Sequence, residues 1–140
     1  AGVTGRLGGF AGGVEIARDL ADGLPPVSGN PDELTQVFTN LLINAEQALS
    51  GVETDRRITL RTRSIEGQHV VAEIIDNGPG IPPELVQNIF YPMISGRASG
   101  TGLGLSITQS IIGQHRGLVE CESEPGRTDF IIFLPLEDTP

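Results

Sequence analysis

Apolar residues follow two rhythms along this chain. From Asn30 to Gly51 they recur at Leu34, Val37, Phe38, Leu41, Leu42, Ala45, Ala48 and Leu49. Steps of three and four put them on one face of a helix. Asn30 is a good N-cap, Pro31 suits the first helical position, and Asp32 and Glu33 complement the dipole. Ser50-Gly51 ends the run. A second helical rhythm spans Leu103 to His115, with Leu105, Ile107, Ile111 and Ile112 as its apolar positions and Gly117 as its stop. Elsewhere the period is two. Val14–Arg18, Arg57–Arg63, Val70–Ile75, Leu118–Glu122 and Phe130–Leu134 read as strands. A turn at Glu66-Gly67 joins the second to the third, and Pro125-Gly126 joins the last two. Pro83–Phe90 reads as one short helix, and 91–101, polar and small, as a mobile loop. These elements predict an α/β (α+β) two-layer sandwich, a mixed, largely antiparallel sheet with helices on one face.

Composition narrows the function. A chain of 140 residues with 38% hydrophobic content makes one domain with a real core. Residues 1–13 hold six Gly and are expected to be a loose, flexible lead-in rather than a helix. The domain proper is expected over 14–136, with 137–140 as a tail. All nine basic residues are Arg, so a phosphate loop built on Lys and Schiff-base chemistry are excluded. A net charge of −9 would repel a nucleic-acid backbone. The single cysteine, Cys121, excludes a disulfide framework, and His69 and His115 stand too far apart to form a ligand cluster. Neither histidine has an acidic neighbour next in sequence, and both read as surface or packing residues. No apolar run is long enough to span a membrane and no signal peptide is evident, so a soluble, cytoplasmic domain is expected.

Three segments carry candidate chemistry. Gln36, Asn40, Asn44 and Gln47 form an amide row on the polar side of the first helix. It reads either as a solvated face or as one wall of a binding site. A carboxamide oxygen suits Mg²⁺ that is already held by substrate phosphates. Asp76-Asn77-Gly78-Pro79-Gly80 follows a strand. Its carboxylate is either part of a turn or an acceptor for an exocyclic base amine. Gly100-Thr101-Gly102-Leu103-Gly104-Leu105 opens a helix, where backbone N–H groups can meet phosphate, but it lacks the dinucleotide fingerprint.

In order, Asn40–Ala45, Asp76–Ile81, Phe90–Met93 and Gly100–Leu105 resemble the N, G1, F and G2 boxes of the histidine-kinase ATP-binding domain. That domain shares the Bergerat-type fold of the gyrase, Hsp90 and mismatch-repair ATPases. The stretch Phe90–Arg97 running into Gly100-Thr101-Gly102 looks like the nitrogen-regulation (NtrB-type) kinases. The resemblance implies Asn44 as the Mg²⁺ ligand, with Asn40 and Gln47 along the phosphate pocket. It implies Asp76 on the adenine amine, Gly78, Gly80 and Ile81 shaping that wall, and Thr128 supporting Asp76. Residues 82–101 would be the ATP lid, anchored by Phe90 and Met93. Thr101, Gly102, Leu103, Gly104 and Leu105 would serve the phosphates, and Arg97 is the one cation proposed near the terminal one. Many relatives carry Lys or Arg where Gln47 stands.

The implied activity is transfer of the γ-phosphate of ATP to a His on a dimerisation domain outside this chain. An NtrC-like response regulator would lie downstream. No nucleic acid or membrane contact is expected of this domain, and in isolation it is expected to be a monomer. The alternatives are an ATPase of the gyrase or chaperone kind and an anti-sigma-type serine kinase. ATPases keep a Glu as general base where this chain has Asn40, and an amide cannot take a proton from water near neutral pH.

Overall fold

A computed structural model describes residues 2–6, 14–25, 27, 29–65, 69–86, 89 and 101–136. Six strands form one sheet in the order β1-β2-β3-β4-β6-β5. They are β1 (Gly2–Arg6), β2 (Glu15–Asp19), β3 (Arg57–Ile65), β4 (His69–Asp76), β5 (Leu118–Glu124) and β6 (Arg127–Pro135). Among the described strands only β2 and β3 pair in parallel. A parallel pair needs a crossover, and helix α1 (Pro31–Ala48) supplies it. The Asn30 side chain accepts from the Glu33 N–H at 3.0 Å, which caps α1 as its sequence suggests. Helix α2 is a single turn, Pro83–Val86, and α3 runs Thr101–Gln114.

The alternation along the strands explains the layers. Ile16, Ile58, Ala72, Ile74, Phe130, Ile132 and Val119 share one sheet face. They pack against Val37, Leu41, Ala45 and Leu49 of α1 and Leu105, Ile111 and Ile112 of α3. At roughly 25 cal/mol per Å² of apolar surface removed from water, this single core is the main source of stability. The opposite face mixes buried apolar Val71, Ile75 and Ile131 with charged residues. Arg57 meets Glu15 at 3.4 Å, Arg61 and Arg63 each approach Glu73 at 3.8 Å, and Arg127 approaches Asp129 at 3.5 Å. Glu73 and Asp129 are nonetheless buried, at 6% and 2% exposure.

Several expectations need adjustment. Gly2–Arg6, expected to be a loose lead-in, forms an antiparallel edge strand against β2, while 7–13 lie outside the described residues. Glycine content argues against a helix, but an edge strand needs only a neighbour whose backbone groups are free to pair. Ile107, an apolar position of the α3 rhythm, is 42% exposed, and Thr108 takes the inward place instead. The helix expected over Pro83–Phe90 is described only as Pro83–Val86, and the loop 91–101 lies almost wholly outside the described residues. The expected turn at Glu66-Gly67 also lies outside them, as does the tail 137–140.

Candidate functional site

A cleft of about 820 Å³ opens between the C-terminal half of α1, the loop after β4 and the start of α3. Helical spacing on α1 turns Asn44 and Gln47 into it while Leu41 and Ala45 face the core. Asp76, Gly78, Gly80, Ile81, Leu105 and Thr128 line the same space. Eight of the residues singled out by sequence therefore converge on one cavity. Asn40 is half-buried one turn before Asn44 and is not part of the lining. Thr101, Gly102, Leu103 and Gly104 make the first residues of α3, where only the backbone is described. Phe90, Met93 and Arg97 lie outside the described residues.

Asp76 ends β4, 1% exposed, and stands directly across from Thr128 of β6, 3% exposed. Burial pushes its carboxyl up to about 6, and a 2.9 Å hydrogen bond from the Gly78 N–H to Oδ1 pulls the other way. At pH 7 it is still mainly a carboxylate, a pure acceptor in the lining of the cleft. Gly78 has to lack a side chain: a Cβ there would lie 2.9 Å from the Ala48 carbonyl oxygen and 3.0 Å from Asp76 Oδ1. Gly80 sits at φ +91°, and a Cβ on it would collide with the Glu124 carbonyl oxygen. The loop after Asp76 is thus pressed against the end of α1 on one side and the β5–β6 turn on the other.

Two side chains fix this loop, and neither was given a role by sequence. Asn77 Oδ1 accepts the Arg57 N–H at 2.8 Å, and its Nδ2 donates to the Asp55 carbonyl, which clamps the loop to the start of β3. Ser123 Oγ accepts the Ile81 N–H at 2.7 Å and lies 2.9 Å from Thr128 Oγ1. Both partners come from register and turn packing, which no local spacing reports. Ala48, Ser50, Gly51 and Val52 also line the cleft. Ser50-Gly51 showed only as a helix stop in the sequence.

The chemistry is asymmetric. One end offers a buried carboxylate beside a hydroxyl, suited to a planar edge bearing an amine. The other offers neutral amides and the start of a helix, whose free N–H groups suit phosphate. Among the described residues lining the cleft there is no Arg and no carboxylate other than Asp76. His115 is not part of this site. Its Nε2 accepts the Asn30 N–H at 3.0 Å and its Nδ1 donates to the Ile111 carbonyl at 2.8 Å, so it joins the end of α3 to the start of α1.

The family described as histidine kinase-, DNA gyrase B- and HSP90-like ATPase matches residues 29–138. The chain is 46% identical over 132 residues to the sensory histidine kinase/phosphatase NtrB of Vibrio alginolyticus, covering 88% of this chain and 37% of that protein. It is 44% identical over 137 residues to NtrB of Rhodobacter capsulatus, covering 91% and 39%. The chain thus spans under two-fifths of these relatives, which share a name. Among solved structures it resembles the catalytic domain of the histidine kinase ThkA, with TM-score 0.77 and 28% identity over 89% of this chain and 82% of that one. It also resembles full-length ShkA in complex with AMPPNP, with TM-score 0.76 and 27% identity over 90% and 26%.

Proposed function

The chain belongs to the histidine kinase-, DNA gyrase B- and HSP90-like ATPase family, and on that premise we propose that it is the ATP-binding catalytic domain of an NtrB-like sensor histidine kinase. In this reading ATP enters with its adenine amine on Asp76 and its phosphates toward Asn44, Gln47 and the first turn of α3. Residues 82–101 form the lid above it. The γ-phosphoryl group passes to a His on a separate phosphoacceptor domain. The product then serves a response regulator, of the NtrC kind if the likeness to NtrB extends to the partner. The domain works in the cytoplasm, and alone it is a monomer. No helix of the described residues is long and apolar enough to cross a membrane.

The donor set fits a metal that arrives on the nucleotide. Among the described residues no group of three or more His, Cys, Asp or Glu could hold an ion unaided. Asn44 offers a neutral, hard oxygen in the cleft, which suits Mg²⁺ already bound to phosphates. When bound, the ion supplies neutralisation of phosphate charge, which this chain lacks the lysines to provide. The chain's own residues position: Asp76 orients the base, the amides orient the phosphates, and the Leu85, Ile89 and Leu105 side excludes water.

The observation that carries transfer over hydrolysis is that Asp76 is the single carboxylate among the described residues of the lining. Asp76 lies at the base end by this reading, and Asn40 stands where hydrolases keep a Glu. Water then lacks the general base that hydrolases keep at this position, a loss worth about 10²–10⁴-fold. The test supplies γ-labelled ATP and a separate phosphoacceptor domain from a similar kinase. Label should appear on that domain, not on this chain, with hydrolysis near background. Robust hydrolysis by the chain alone would favour the ATPase reading.

A further inference from the structure

We propose that Ser123, which lies outside the cleft lining, is a positioning residue that makes Thr128 a hydrogen-bond donor and so sets base specificity. This rests on the reading that the cleft holds an adenine nucleotide. Strand register puts Asp76, Thr128 and Ser123 abreast on β4, β6 and β5. The loop after β4 comes down on the same row. Gly126 N–H donates to the Pro79 carbonyl at 3.4 Å, and Ile81 N–H donates to Ser123 Oγ at 2.7 Å.

A backbone amide can only donate, so Ser123 Oγ receives that bond as acceptor. Its one proton then has two destinations: Thr128 Oγ1 at 2.9 Å or the Arg127 carbonyl at 3.4 Å. The first is a normal O–H···O distance and the second is long. With the Ser123 proton on Thr128 Oγ1, the proton of Thr128 itself is released toward the cleft that Thr128 lines. Acceptor Asp76 and donor Thr128 then stand side by side. Adenine presents the complement, an amine donor next to the ring acceptor N1. Guanine presents the reverse, a carbonyl next to an N1–H. Without Ser123, the Thr128 hydroxyl is free to turn either way and the polarity of the pair is lost. Because the relay starts at Ile81, the loop after β4 and the base-reading pair share one hydrogen-bond chain.

The experiment compares dissociation constants of ATP, GTP and 1-deaza-ATP, in which N1 is replaced by C–H, for the whole chain and its Ser123 variants. The unmodified chain should prefer ATP to both. In Ser123→Ala the preference for ATP over 1-deaza-ATP should fall about tenfold, the worth of one hydrogen bond. Ser123→Thr keeps the hydroxyl and should restore the preference. If Ser123→Ala does not fold, Ser123→Cys, with a weaker donor and acceptor, carries the same comparison. A variant that weakens all three nucleotides equally would show a merely structural role and overturn the proposal. A wild-type chain that binds no ATP, or binds ATP and GTP alike, would instead overturn the site reading beneath it.

Discussion

Asp76 is a carboxylate held where water is scarce, and its chemistry follows from that burial. With its carboxyl pushed up to about 6, it gains a proton, and loses an acceptor, as pH falls through that value. ATP affinity should drop below about pH 6 and level off above pH 7. Phosphate titration overlaps this range, so Asp76→Asn serves as the control. That variant should bind ATP at least about tenfold more weakly at pH 7, from one lost charge-assisted bond, and should lose the Asp76 component of the pH profile. Calorimetry across pH 5–8 would check it, and coincident profiles for the two proteins would refute the assignment. Asn44 carries a separate expectation. Asn44→Ala keeps or improves helix propensity, so the variant should fold normally while its ATP binding stops responding to Mg²⁺. A circular-dichroism spectrum with a Mg²⁺ titration decides between a ligand and a structural residue. Asp76 and Asn44 were legible in the sequence because their motifs are contiguous. The roles of Asn77, inside that same motif, and of Ser123 were not, since their partners Arg57 and Ile81 are chosen by strand register and by a loop pressed against a turn.

Among the elements, α3 ends under mild strain. Gly117 N–H reaches back to the Ile112 carbonyl and Arg116 N–H to that of Gly113, a Schellman closure. The left-handed position falls on Arg116, at φ 61°, one residue before the glycine that the sequence marks as the stop. Arg116→Gly should relieve that strain and stabilise the domain by about 1 kcal/mol, less what glycine costs the unfolded chain. Chemical denaturation would measure it, and a loss of stability would show that the arginine side chain matters more than its backbone. His115, one residue earlier, ties this end to the cap of α1. Its side chain is only 7% exposed, so His115→Ala should cost about 1–3 kcal/mol through the lost bonds and the space left behind. The same denaturation experiment reads it, and nucleotide preference should stay unchanged. Most strands were legible from alternation, and α1 from its stripe and cap. Edge strand β1 was not, because backbone pairing alone leaves no rhythm in a glycine-rich segment.

At the scale of the molecule, buried acids set the response to pH. Burial, the neighbouring Glu73 and, less, Glu122 push Asp129 up to about 7 against the opposing pull of Arg127. Asp76 is raised to about 6, and both groups start from 3.8 when unfolded. Between about pH 4 and pH 7 the unfolded chain has released these protons while the folded one still holds them. Stability therefore falls as pH rises through this window. Self-repulsion at a net charge of −9 acts in the same direction. Thermal unfolding should occur at a higher temperature at pH 5 than at pH 7.5, and Asp129→Asn should flatten the difference. A midpoint that climbs from pH 5 to pH 7.5 would contradict the assignment.

The pairing of β4 with β6 also has a kinetic meaning. The β3–β4 and β5–β6 hairpins close short loops, whereas β4 meets β6 only after everything between Asp76 and Thr128 has been looped out. Such a non-local step is entropically the slow one. Asp76 and Thr128 face each other across that late seam, so a half-assembled chain has no base-reading pair to offer. Nucleotide would then select the finished fold alone and stabilise it by mass action, without rescuing intermediates on the way. Added ATP should slow unfolding and leave the refolding rate unchanged.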